Sequence, residues 1–431
     1  MRQRYQRLWG RLTVVIALLV LIAISASAHT VRGAQTTTRP SSVVQKSLVS
    51  ATVLTSDICV PDGQGRCQNE VLVKLTDPTA LPIIRAALQL TLIDQLEGRP
   101  IYRLRLANPL ASLQNVLAAL MANPLVVYAE PNYLGEEPEG IARSSWSSGD
   151  DENGYASQWA PDTIRLPEAH TISRGAGITV AVLDTGADLD HPALAGRLVQ
   201  GIDFVDGDLD PSEEGVYGQD IAFGHGTHVA GLIALAAPDA KIMPLRILRP
   251  DGRGNSWLLA QAIRYAATSG ARVINISYSV HKRSLLLEDV LGEVMSAVPG
   301  AVVAAAAGNS GPSTAPEYPA AEGVPGLIAV AASTRSDRLA DFSTRGSWVD
   351  LAAPGDRIVS SVPDNTYGTW SGTSMAAPLV AGTAALVRAA NPELSPAAVV
   401  ERITATAAEI AGPVPHRIDA AAAVGLPGAQ P

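Results

Sequence analysis

Apolar and polar residues alternate with a period of two in "EVLVKL", Glu70 to Leu75, and again in "IYRLRL", Ile101 to Leu106. This is the pattern of strands with one face buried. Between them, helical spacing around Ile83 to Leu90 precedes a strand candidate at Thr91 to Leu96, and Glu97-Gly98-Arg99-Pro100 supplies a turn. "SLQNVLAALMANP" has helical spacing and "LVVYAEPNY" reads as a closing strand. The order β-α-β-β-α-β predicts a small ferredoxin-like α+β domain over 69–134.

Further along the pattern changes to continuous apolar runs. "GITVAVLDTG", "AKIMPLRIL", "ARVINISYS", "AVVAAAAGNSG" and "GLIAVAAS" suit strands covered on both faces, as in a parallel sheet. Segments such as "SWLLAQAIRYAATSG" have helical spacing and end at glycine. These alternations predict a three-layer, doubly wound, mostly parallel α/β domain over 155–425, with a tail at 426–431 and chemistry at the carboxyl ends of the strands. Residues 29–68 are polar and read as a linker. Residues 135–154, acidic and rich in Ser and Gly, are expected to be exposed and open to proteolysis.

Composition sharpens this picture at two points. Aromatics are only 4% while Ala and Gly abound, which predicts a core of closely approaching elements. A net charge of -9, with no cluster of Lys and Arg in the folded part, argues against a nucleic-acid partner. Arg2, Arg4, Arg7 and Arg11 precede an apolar run from Thr13 to Ile24 and then Ala26-Ser27-Ala28, the arrangement of a secretory signal over 1–28. An uncleaved anchor is the alternative, and no later segment is expected to span a bilayer. Cys59 and Cys67 flank a turn-rich stretch and either close a small disulfide loop or remain two thiols.

Three polar clusters fall at predicted strand ends or helix starts: Asp184 in "VAVLDTGAD", His225 in "GHGTHVAG" and Ser374 in "SGTSMAAP". A serine hydroxyl becomes a nucleophile when a base takes its proton and a carboxylate orients that base. Asn309 in "AAAAGNSG" follows a buried strand, where its amide can donate to an oxyanion. A single Asp-Thr-Gly lacks the second carboxylate an aspartic protease needs. His228 reads as a packing residue beside His225 rather than half of a metal pair.

Taken in that order, the blocks resemble the signature segments of the subtilisin-like serine proteases, over roughly Gln158 to Gly425. The resemblance implies that Asp184 orients the base, His225 is general base and acid, Ser374 is the nucleophile and Asn309 the oxyanion donor, acting on polypeptide substrates without a catalytic cofactor. The upstream domain resembles the prodomain of bacterial subtilases of the thermitase and fervidolysin kind, which assists folding and inhibits until cut off. A permanent accessory domain is the competing reading. The resemblance assigns Ser277, Tyr278 and Ser279 to the strand that pairs with substrate, with Ser279 and Val280 standing where the family usually has two glycines. It assigns Glu317 to the floor of the S1 pocket, where a carboxylate would favour Lys or Arg, and makes Arg143 a candidate cut site; a solvated surface glutamate is the other reading. Asp203, Asp206, Asp208 and Asp210 resemble a structural calcium loop of the family, or are an acidic loop without an ion. A second family calcium site is not expected, since Ala193 replaces a ligand and "GLIALAAPDAKIM" is too short. The implied protein is a secreted zymogen, free of the membrane after signal cleavage; a catalytically silent homologue that binds peptides or surfaces is the alternative.

Overall fold

The computed structural model describes residues 59–139, 146–414 and 416–428. The expected signal segment, the part of the expected linker before residue 59 and Arg143 lie outside the described residues. Cys59 and Cys67 are joined in a disulfide. It sits beside the start of strand Arg66–Leu75.

The four amino-terminal strands form an antiparallel sheet in the order Leu90–Gln95, Ile101–Leu106, Arg66–Leu75 and Val126–Glu136. Helices Leu81–Leu88 and Leu113–Met121 complete the unit in the predicted order. Period-two alternation here sorts residues between two cores rather than between core and water. Val71, Val73 and Leu75 face the domain's own helices with Ile84, Leu104 and Leu120. Leu72, Ile101 and Tyr128 belong to the core of the following domain, with Trp257, Ile263, Leu287 and Val290. Polar contacts supplement this packing. The Glu130 carboxylate accepts from Ser284 Oγ at 2.7 Å and from the amides of Leu285 and Leu286 at 2.8 and 3.0 Å, at the N-terminus of helix Leu285–Ser296. Asn132 Oδ1 accepts from the Trp257 amide at 3.2 Å, at the start of helix Ser256–Thr268.

The larger domain has a nine-stranded sheet. Its centre runs Leu351–Pro354, Leu327–Ser333, Val302–Ala306, Val273–Ile276, Thr179–Asp184 and Lys241–Arg246, all parallel. Helices His225–Ala236 and Thr373–Ala390 cover one face and helices Ser256–Thr268 and Leu285–Ser296 the other, which gives three layers. Small residues permit the close approach: a methyl added at Gly382 would overlap that of Ala236 on the facing helix.

The structure departs from the expectations at one point and adds to them at two. Residues 135–154 are not a uniformly exposed linker: Glu137 and Glu139 have no exposed surface, and Ser147–Asp150 pairs with strand Thr366–Trp370. Backbone pairing uses no side-chain pattern, so composition does not reveal it. Secondly, helix Thr373–Ala390 is, by length and mean hydropathy of 1.2, apolar enough to cross a bilayer, but 89% of it is buried in the protein. Finally, the hairpin Ile358–Val362/Thr366–Trp370 and strand Leu351–Pro354 were not foreseen, because runs this short carry too little periodicity.

Candidate active site

Asp184 ends the central strand Thr179–Asp184, and His225 opens helix His225–Ala236. His225 Nδ1 lies 2.7 Å from Asp184 Oδ1, and neither side chain is exposed. The Thr185 amide also donates to Asp184 Oδ1 at 2.8 Å, which fixes the carboxylate's orientation. His225 packs edge-on to Trp370, with ring centroids 5.1 Å apart.

Ser374 is the second residue of helix Thr373–Ala390, and Pro378 lies four residues further in. Proline has no amide to donate to the Ser374 carbonyl. Ser277 Oγ donates to that carbonyl instead, at 3.4 Å, and itself accepts from Asn275 Nδ2 at 3.0 Å. Asn309 follows Gly308 just beyond strand Val302–Ala306. Its Oδ1 accepts from the Thr373 amide and Thr373 Oγ1, both at 3.0 Å, so the amide nitrogen is turned toward Ser374.

The space these groups share is filled by a residue that sequence reasoning left in a linker. Glu139 Oε2 accepts from Ser374 Oγ at 2.6 Å and lies 3.1 Å from His225 Nε2. Glu139 Oε1 accepts from Asn309 Nδ2 at 2.9 Å and from the Ser374 amide at 3.4 Å. One carboxylate thus lies within hydrogen-bond distance of Ser374, Asn309 and His225. Only its place in an acidic stretch just after a predicted strand hinted at it.

These contacts polarise the site. Burial would raise the Glu139 carboxyl, but hydrogen bonds and charge from His225, with Ser374 and Asn309, hold it below the usual carboxylate range. Burial would lower His225, yet the adjacent Asp184 and Glu139 keep it well above an ordinary imidazole. Burial and the charge of His225 push His228 down to about 3. It stays neutral, near the carbonyls of Ile358 and Gly368. Two residues before Glu139, Glu137 is buried with both oxygens lacking partners, and burial pushes its carboxyl up to about 8.

The chain reaches Glu139 as an extended strap. Leu134, Gly135 and Glu136 pair antiparallel with Asn255, Gly254 and Arg253. On the other edge Glu136 exchanges backbone bonds with Ser279 at 3.1 and 2.9 Å. Ser277, Tyr278 and Ser279 therefore do run beside an extended segment, which is the chain's own.

Glu317 is 2% exposed and lies behind Gly308, where an added Cβ would overlap its carboxylate. Its Oε1 accepts from Ser310 Oγ at 2.8 Å and Thr344 Oγ1 at 3.0 Å, and Oε2 has no partner. Of the four aspartates, Asp203 and Asp206 come together with Glu214, which was not anticipated, around the Arg246 guanidinium. Asp208 and Asp210 do not join them; they accept from the amides of Asp210 and Ser212 in the turn.

Residues 175–423 match the Subtilase family and residues 63–132 the Fervidolysin N-terminal prodomain. A thermophilic serine proteinase from Bacillus sp. (strain AK1) is 42% identical over 288 residues, 64% of this chain and 66% of that protein. Thermitase from Thermoactinomyces vulgaris is 42% identical over 240 residues, 53% of this chain and 81% of the relative. The crystal structure of fervidolysin from Fervidobacterium pennivorans, described as a keratinolytic enzyme related to subtilisin, superposes with a TM-score of 0.70 at 26% identity. That match covers 85% of this chain but 62% of fervidolysin.

Proposed function

Since the chain belongs to the subtilase family of serine peptidases, we propose that it is a secreted endopeptidase made as a zymogen and held inactive by its own prodomain. The observation that carries the reading is the convergence of His225, Ser374 and Asn309 on one carboxylate, with Asp184 bonded to the far side of the His225 ring. Replace that carboxylate by a substrate carbonyl and each group has a task. His225, oriented by Asp184, takes the proton from Ser374 Oγ as that oxygen attacks the carbonyl carbon. Asn309 Nδ2 and the Ser374 amide stabilise the oxyanion. His225 returns the proton to the leaving amine, and water hydrolyses the acyl-enzyme by the same sequence. The processed protein is expected to hydrolyse casein and to be blocked by a serine-directed fluorophosphonate. A processed protein that neither cuts casein nor takes up the reagent would overturn the reading.

Inhibition by the prodomain is supported by the strap. While Glu139 remains, the oxyanion donors are filled and its negative charge keeps a proton on the base. Cleavage between 135 and 154 by the enzyme itself would separate the prodomain from strand Ser147–Asp150, which pairs with the catalytic domain. Glu130 and Asn132, bonded at two helix N-termini, are the groups by which the prodomain would assist folding. Export is supported by the pattern of residues 1–28 and by the disulfide, a bond suited to an oxidising compartment.

Glu317 is proposed to favour Lys or Arg at the acyl side of the cut bond, on the strength of its burial and its unpartnered oxygen beside the oxyanion residue. Glu317→Gln should then reduce the preference for basic over uncharged residues by about 10²-fold, as expected for loss of one partner of a buried charge pair. A peptide-library profile left unchanged by the substitution removes the proposal.

A structural calcium ion is proposed only for Asp203, Asp206 and Glu214, whose oxygens lie within 4.8 Å of one another and are the hard donors calcium takes. Arg246 offsets one of their three charges and leaves two to match a divalent cation. Calcium at about 100 times its Kd should raise Tm by about 3–5 °C over EGTA. Equal melting temperatures would exclude the ion.

A further inference from the structure

The strap reveals a restriction in the cleft at Gly135. This residue is paired with Gly254 on one side and immediately precedes Glu136, which exchanges backbone bonds with Ser279 on the other. A Cβ added at Gly135 would overlap the Tyr278 ring at Cζ and Oη and the Ser279 carbonyl oxygen. Gly135 is not among the glycines with positive φ, so its backbone is open to any residue. The demand for glycine there is one of space.

Tyr278 cannot yield easily. With the strap in place it has no exposed surface, and it is packed in one core with Leu248, Trp257, Leu259 and Val280. Its ring also comes within 3.4 Å of the Cβ position of Gly254, so it forms a wall across both strands of the cleft. Moving the ring aside would require repacking a filled core, and overpacking of this kind is costly.

A substrate that pairs with Arg253–Asn255 and Ser279 as the strap does must place one of its residues where Gly135 lies. Building on the peptidase reading, we infer that Tyr278 is a specificity-determining residue that restricts the substrate position just before the Ser279-paired residue to glycine. The substrates it selects are polypeptides with glycine three or four residues upstream of the residue whose carbonyl Ser374 attacks. This restriction is independent of Glu317, which acts through charge on a different substrate residue.

The test uses processed enzyme and internally quenched peptides that differ only at this position, carrying Gly, Ala or Leu, with the cut bond located by mass spectrometry. The glycine peptide should exceed the other two in kcat/KM by about 10- to 10²-fold, the size of effect expected from forcing a side chain into filled space. Tyr278→Ala should narrow the glycine preference by raising cleavage of the Ala and Leu peptides, the remainder being set by the Ser279 carbonyl oxygen, which the substitution leaves in place, whereas Tyr278→Phe should retain the full preference. Equal cleavage of all three by the wild type would overturn the inference while leaving the peptidase reading intact, and this comparison requires no variant to fold. Failure to cut any peptide, together with failure to take up fluorophosphonate, would overturn both.

Discussion

Substituting Ser374 by alanine is expected to lower casein turnover by about 10⁶-fold and to leave the chain uncut between 135 and 154. The magnitude is the one found for the corresponding serine of a subtilisin and is taken over from it. The reason is local. Among the described residues, Ser374 Oγ is the only oxygen that both bonds to the site's central carboxylate and shares that contact with His225 Nε2. Alanine removes this oxygen and retains the helix start, the Ser374 amide position and the Asn309 amide, so binding and oxyanion stabilisation should survive. A circular dichroism spectrum and melting curve matching the wild type would confirm that the effect is chemical. Near-normal turnover in the variant would exclude Ser374 as the nucleophile. Secretion of a shortened Ser374→Ala product would leave that role untouched and show that another protease performs the cut.

The second large effect is on the lock. The groups that face the strap's two buried carboxyls are His225, Glu136 and each other, with Asp184 behind His225. Glu139 is held below the usual carboxylate range when docked. Its contribution is therefore full above that range and is lost only as pH falls through the lowered value. Glu137 acts in the opposite sense: its docked pKa of about 8 stands above the ordinary carboxylate value of 4.5. Docking takes up a proton there and weakens steadily as pH rises from the ordinary carboxylate range toward 8. His225, raised by the docked carboxylate, adds to this trend above the pKa of a free imidazole.

Opening of the zymogen should accordingly accelerate by about 10²- to 10³-fold between pH 5 and 8. The measurement is the initial rate of fluorophosphonate labelling of unprocessed protein divided by that of processed protein at each pH, which cancels the pH dependence of the triad itself. Glu137→Gln should flatten the profile. Glu139→Gln, which keeps shape but removes the charge opposite His225, should raise the ratio by at least about 10-fold at neutral pH, the size of one charge-assisted hydrogen bond. A ratio independent of pH, or unchanged in Glu139→Gln, would show that the lock lies elsewhere.

Much of this protein could be read along the chain because its elements announce themselves locally. The strands Val273–Ile276 and Val302–Ala306 are buried on both faces, and a continuous apolar run needs no distant partner to be recognised. Asp184, His225 and Ser374 each lie in a distinctive run of small residues at a strand end or helix start. Leu72 and Leu104 illustrate the limit: both occupy alternating apolar positions, yet Leu72 belongs to the catalytic domain's core and Leu104 to the prodomain's own. Periodicity tells which face of a strand is buried and says nothing of what buries it.

By itself, therefore, the amino-acid order determined the α+β and α/β units, the family of the chemistry and the residues that could perform it, because propensity and short motifs are properties of neighbouring residues. Tertiary structure alone decided that Glu139 bonds Ser374 and Asn309, that Ser277 serves the carbonyl left free by Pro378, that Arg246 gathers Asp203, Asp206 and Glu214, and that Tyr278 closes the space beside Gly135. Each of these joins groups far apart in the chain through steric fit or through a charge exchanged for hydration, and such terms exist only once the two surfaces have met.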